Sequence, residues 1–242
     1  MKKTVFFAAV FIIACLVFFP SCSGGSSGSS ISTDDLEGIW VATGEDGGTA
    51  KAMLFEFSGN NFTRIGYTEV DASDPDGPDM IQEEGSRGTY SISDDTLIAM
   101  VIEDWDDYAW DDDPETKNVP ISYEGNTFTI SMDGHEIEFT KKSFSRPLAL
   151  INTWYELPGG SNTLVGDGDG TYTYTDPGNN YTSEGTWTAS PDLMRIITTY
   201  ENDNGTESTF YVENLYEYEI SGTNLELSWD DTVFSTYTNV EP

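Results

Sequence analysis

The chain has 242 residues, with 43 acidic against 10 basic side chains, one histidine, two cysteines and a formal charge of -33. So acidic a surface repels phosphate backbones and anionic headgroups, which excludes nucleic acid as a partner and electrostatics as a means of holding a membrane. His135 is the sole histidine and both cysteines fall within the first 22 residues, so imidazole clusters, thiolate metal sites and a disulfide framework are excluded from the rest of the chain.

The first element is a leader. Met1-Lys2-Lys3 precede an apolar stretch from Thr4 to Phe19, then Pro20-Ser21-Cys22 and a run of glycine and serine from Ser23 to Ser30. The apolar stretch falls short of the ~20 residues of a spanning helix. A positive start, a hydrophobic middle and a small residue before a cysteine resemble a bacterial lipoprotein signal. The resemblance implies cleavage after Ser21, lipidation of Cys22, and anchoring in the bacterial cell envelope, at the outer membrane or cell surface rather than the inner membrane. Several acyl chains hold a protein more firmly than one. Ile12-Ile13-Ala14-Cys15 is a tidier lipobox, but cutting there would leave Leu16 to Phe19 as an apolar stub. An ordinary cleaved signal peptide is the alternative. Residues 1–21 then form the signal peptide and 22–34 a Gly/Ser-rich tether.

Beyond the tether, Thr, Tyr, Phe, Ile and Val alternate with Gly, Asn and Asp punctuation, so the chain reads as all-β. Strands are expected at Ile39–Ala42, Ala52–Phe57, Asn61–Tyr67, Gly88–Ser93, Thr96–Glu103, Val119–Tyr123, Thr127–Met132 and Glu136–Thr140. Period-two alternation marks Met53-Leu54-Phe55-Glu56-Phe57 and Phe128-Thr129-Ile130-Ser131-Met132. Turns are expected at Gly59-Asn60, Ser93-Asp94-Asp95, Gly125-Asn126 and Asp133-Gly134. Eight short antiparallel strands joined by hairpins suit an up-and-down barrel or a compact sandwich.

The pattern then recurs. Gly88-Thr89-Tyr90-Ser91-Ile92-Ser93 matches Gly185-Thr186-Trp187-Thr188-Ala189-Ser190 at an offset of 97, which also carries Gly125 to Gly222, Phe128 to Leu225, Ile130 to Leu227, Ser131 to Ser228 and Asp133 to Asp230. Gly38-Ile39-Trp40 pairs with Asn152-Thr153-Trp154 at an offset of 114, which requires a 17-residue insertion in the first unit. Its expected place is an acidic loop from Thr68 to Glu84. The domains are therefore 35–145 and 146–242, with so little linker that the two units are expected to touch.

The Gly-x-Trp of the first strand, the run of hairpins, and the Gly-Thr-Tyr-Ser-Ile-Ser and Gly-Asn-Thr-Phe-Thr-Ile segments resemble the small lipocalin-like domains of bacterial lipoproteins. The second unit departs by carrying Asn152 in place of the glycine. The resemblance implies two tandem antiparallel β-barrels, with Trp40 and Trp154 plugging their closed ends. It also implies binding of a small apolar molecule without catalysis.

No residue identifies that ligand. Phe55, Phe57, Tyr90, Ile92, Phe128 and Ile130 are expected to point inward and fill much of a small barrel, so packed barrels serving a structural or protein-interaction role are the alternative. The acidic hairpin carrying Trp105, Tyr108 and Trp110 is the expected partner-facing surface. Asp167-Gly168-Asp169-Gly170 and Asp104-Trp105-Asp106-Asp107 raise a calcium reading, but neither fits an EF-hand: the sixth place from Asp104 is Ala109, and the twelfth from Asp167 is Gly178. Turn chemistry explains both; cation binding through the acidic loops is a further alternative, and neither a metal site nor a cofactor is expected. One histidine gives no credible catalytic triad, phosphate-loop spacing is absent, and the Gly-x-Ser-x-Gly at Gly24 to Gly28 belongs to the Gly/Ser tether, so no enzyme activity is expected.

Overall fold

The computed structural model describes residues 31–46, 49–69, 80–106, 109–132, 135–158, 161–229 and 232–241. Outside them lie Cys22 with the leader and the tether to residue 30, most of the expected acidic loop, Asp107 and Tyr108, the Asp133-Gly134 turn, and Asp230.

Alternating apolar and polar residues between tight turns give two meanders. The first comprises β1 (Gly38–Asp46), β2 (Thr49–Ser58), β3 (Asn61–Glu69), β4 (Met80–Ser93), β5 (Thr96–Asp106), β6 (Ala109–Glu124), β7 (Thr127–Met132) and β8 (His135–Lys142). Antiparallel pairing of β1 with β8 closes it. The second comprises β9 (Asn152–Leu157), β10 (Thr163–Gly166), β11 (Thr171–Asp176), β12 (Tyr181–Ala189), β13 (Leu193–Asp203), β14 (Thr206–Ser221), β15 (Asn224–Trp229) and β16 (Thr232–Thr238), closed by β16 on β9. The chain is thus all-β, two eight-stranded antiparallel barrels in tandem, an architecture consistent with a lipocalin-like fold.

Every strand expected in the first unit is present, and most run further. The ends of the expected acidic loop are ladder: Thr68 pairs with Ile81 and Glu69 with Met80. Charged residues are tolerated there because one face of an antiparallel strand meets water. Asn152 does not impair closure of the second barrel, where Tyr237 pairs with Glu156 and Thr238 with Tyr155. Gly38 lies at φ +119, a region that favours glycine, whereas Asn152 is not among the residues with positive φ.

Each barrel is plugged the same way. A helical turn, α1 (Thr33–Leu36) in the first unit and Leu148–Leu150 in the second, sets a buried leucine under the barrel. The following tryptophan donates its indole N–H back to it, Trp40 to the Leu36 carbonyl at 2.7 Å and Trp154 to the Leu150 carbonyl at 3.3 Å. Both tryptophans are core residues. The repeated glycine of the Gly-Thr-aromatic segment has an equally physical role. At β-bulges, Gly88 lies against the Met100 carbonyl and Gly185 against that of Ile197, where a Cβ would come within 2.0 and 1.8 Å. Only glycine admits so close a backbone approach.

The barrels meet along a buried seam. Outward residues of β1 to β3, Val41, Ala52, Leu54, Ile65 and Tyr67, pack against Leu193 of β13 and Leu215 of β14. Leu54, read as the outward step of an alternation, is fully buried because this outer face is covered by the second barrel. At the centre lies Glu213, with no solvent exposure. Arg195 grips it through two bonds of 2.5 and 2.8 Å, and the hydroxyls of Tyr67 and Tyr211 donate to it as well. Arg195 also reaches Glu56 of the first barrel at 3.0 Å. Burial works against the Arg195 charge, but Glu213 more than offsets this and holds its pKa well above the usual arginine value. Burial, then Glu213, pushes the Tyr67 hydroxyl far up, so it stays a donor.

Two outcomes follow from these contacts. Gly88→Ala or Gly185→Ala should destabilise the protein by about 3 kcal/mol, the upper end for overpacking, measured by urea unfolding; a change near zero would refute the close approach. Arg195→Leu should lower stability by about 3–5 kcal/mol by stranding Glu213, while Arg195→Leu with Glu213→Leu should recover much of that loss. A double variant as unstable as the single one would contradict the pairing.

Candidate ligand-binding cavity

Matching positions in the two barrels carry side chains of different size. Phe55 stands opposite Trp40 and Phe57 opposite Gly38 in the first barrel; in the second, Leu164 stands opposite Trp154 and Gly166 opposite Asn152. Phe128 pairs with Phe139, whereas Leu225 pairs with Tyr237. The four phenylalanines fill the first barrel: Phe128 and Phe139 stack at 4.7 Å, Phe55 lies edge-on to Phe139 at 5.3 Å, and Phe57 stacks on Phe55 at 5.4 Å. The inward residues expected from the sequence, including Tyr90, Ile92 and Ile130, belong to this core.

The second barrel holds an open cavity of about 1060 Å³, which Leu164 and Tyr237 of these positions line, whereas Gly166 and Leu225 border a smaller void beneath it. Its floor is Leu164, Tyr172 and Ile196. Its mouth lies at the β11–β12 and β13–β14 turns, where Asn179, Asp203, Asn204 and Ser208 are exposed. Below the floor a void of about 20 Å³ is bordered by Trp154, Trp187 and Met194, and the buried Trp187 indole N–H has no hydrogen-bond partner among the described residues.

The walls are aromatic and polar together. Tyr181 donates to Glu201 at 2.6 Å, and the Tyr172 and Thr198 hydroxyls share a bond of 2.5 Å. Asn162 donates to Glu156 at 2.6 Å and to the Tyr174 hydroxyl at 3.1 Å. Burial raises the pKa of both Tyr172 and Tyr181, and the bond to Glu201 raises that of Tyr181 further. The phenols therefore remain protonated, and the charge of the cavity resides on its carboxylates.

The same two strands carry seam and cavity on opposite faces, as a two-residue period requires. Along β13, Leu193 and Arg195 point to the first barrel while Ile196 and Thr198 line the cavity, and the bulge between Thr198 and Tyr200 shifts the alternation so that Glu201 lines it too; along β14, Glu213 and Leu215 alternate with Val212, Asn214 and Tyr216. A backbone bridge from Asn214 to Ile81 joins the barrels at this wall.

The acidic motifs lie elsewhere. Asp169 caps the β10–β11 turn by accepting the Thr171 N–H at 2.9 Å and hydroxyl at 2.7 Å, which holds its carboxyl below the usual range. Asp104 is half-buried on β5, and desolvation raises its pKa. Among the described residues, no three His, Cys, Asp or Glu side chains converge to hold a metal ion. His135 opens β8, half-buried. Trp105 and Trp110 lie at the seam: Trp105 donates to the Tyr211 carbonyl at 3.2 Å, and Trp110 meets the Tyr211 ring edge-on at 6.1 Å with Arg87 above it at 4.5 Å. Sequence reasoning missed the cavity; Leu225, which replaces Phe128 at the repeat offset, borders only the small void beneath it.

Comparison with known proteins gives no match: no protein-family model, no curated protein and no solved structure is significantly similar to this chain. The architecture is assigned from its strand topology.

Proposed function

We propose that the protein is a cell-envelope lipoprotein whose second barrel binds a small molecule without catalysis, the first barrel serving as a filled platform. The observation that carries this reading is the cavity of about 1060 Å³ in the second barrel. Its volume matches the top of the ~300–1,000 Å³ range of ligand sites, and eight-stranded barrels are wide enough to hold one small ligand. The tyrosines, amides and carboxylates on its walls favour a ligand with polar groups over the purely apolar one expected from the sequence. The location rests on the leader, whose order of charges, apolar residues and cysteine supports lipidation at Cys22.

Native mass spectrometry of the chain purified from its own host tests the binding reading. One small molecule per chain is expected, and Val212→Trp, which fills the cavity from β14, should lose it. A chain that never carries a guest, or a guest retained by Val212→Trp, would count against the second barrel as the receptor. Cys22→Ala should release the protein from the membrane fraction, and retention there would refute the anchor.

A further inference from the structure

The cavity is unbalanced in charge. Four carboxylates line it, Glu156, Asp176, Glu201 and Asp203, and no lysine or arginine does. Glu156 on β9 and Glu201 on β13 occupy strands on opposite walls of an eight-stranded ring, while Asp176 and Asp203 lie at the rim. Nor can the rest of the unit supply a counter-charge. Beyond Arg146, Arg195 is the only basic side chain in the chain to Pro242. Arg195 points away from the cavity and is committed to Glu213 and Glu56 in the seam. Arg146 packs beside Gly170, in the β10–β11 turn at the closed end of the barrel.

A concave site lined by charge of one sign focuses its field inward and concentrates ions of the opposite sign. Half-buried carboxylates gain more from a cation than exposed ones do, because less water screens the pair. The walls also include Tyr174, Tyr181, Tyr216, Tyr237 and Phe210. Tyrosine and phenylalanine rings attract organic cations through their quadrupole, most strongly where water is excluded. A bare metal ion would find no converging set of ligands among the described residues. An organic cation needs none, since its charge is spread and its body can lie on aromatic and aliphatic walls.

We propose that the cavity of the second barrel selects an organic ammonium compound, its charged head between Glu156 and Glu201 and its aromatic or alkyl body against the tyrosines and the Leu164–Ile196 floor. This rests on the reading that the second barrel is a receptor, and names the chemical class that the receptor takes.

Isothermal titration of the full chain with benzyltrimethylammonium, benzyl alcohol and benzoate, which share a ring and differ in charge, tests the proposal. The cation is expected to bind at least tenfold more tightly than the alcohol, and benzoate not at all. Glu201→Gln and Glu156→Gln should each weaken the cation about tenfold while leaving the alcohol unchanged; glutamine keeps an acceptor for Tyr181 and for Asn162, so folding is preserved. Val212→Trp should abolish binding. Equal affinity for alcohol and cation would overturn the charge selectivity and leave the receptor reading standing. Cation binding that survives Val212→Trp would assign it to the acidic exterior and overturn the proposal. Binding of none of the three probes would overturn it too, and the host-purified chain then decides separately whether the barrel is a receptor.

Discussion

A carboxylate with no access to water must be met by enough donors or it will not stay charged and buried. Glu213 is met by four: two from Arg195, one from Tyr67 and one from Tyr211. Those partners come from both barrels, so the requirement can be satisfied only when the barrels are docked. Hydrophobic burial along Val41, Leu54, Ile65, Leu193 and Leu215 supplies non-directional adhesion. The bonds that cross the seam supply register, because Tyr67 must reach Glu213 and Arg195 must reach Glu56, which fits one relative placement of β13 and β14 against β2 and β3. The cavity depends on this in turn, since its wall is the other face of the same two strands.

The two units divide labour through side-chain volume rather than topology. One meander is repeated with its plug, its bulge glycine and its closure intact, and phenylalanine gives way to leucine, glycine or tyrosine at the matching interior places. A filled barrel is rigid and cannot admit a guest; a hollow one can, but loses the dispersion contacts that the missing rings would make. Placing the hollow barrel against the filled one backs its thinned wall with a solid surface. The tyrosines that remain inside carry hydroxyls that bond to Glu201, Thr198 and Asn162, so the cavity keeps an ordered polar lining.

Much of this architecture could be read from the chain. The strands of the first unit and the two-fold repeat follow from alternation, turn residues and fixed offsets, and the plugging tryptophans from the resemblance to lipocalin-like domains. Gly88 and Gly185 recur because both units bring backbone to backbone at a bulge. The seam could not be read, because the repeat does not carry it: at the repeat offset of 97, Arg195 falls on Ile98 and Glu213 on Thr116. Leu54 and Ile65 resembled ordinary strand residues until a second surface was present to cover them. The cavity was barely legible: Leu227 stands where the first unit has Ile130, and because β10 is much shorter than β2 no constant offset aligned Leu164 with Phe55. The pairing of Trp105 and Trp110 with Tyr211 depended on the docking of the barrels and was hidden for the same reason.

The central claim is that the two barrels form one cooperative body, held by the Glu213 site, with the cavity of the second barrel built on its far face. Scanning calorimetry of the full chain at neutral pH tests this most directly. A single transition with equal calorimetric and van't Hoff enthalpies is the outcome the account predicts. Two separable transitions, one for each barrel, would contradict it.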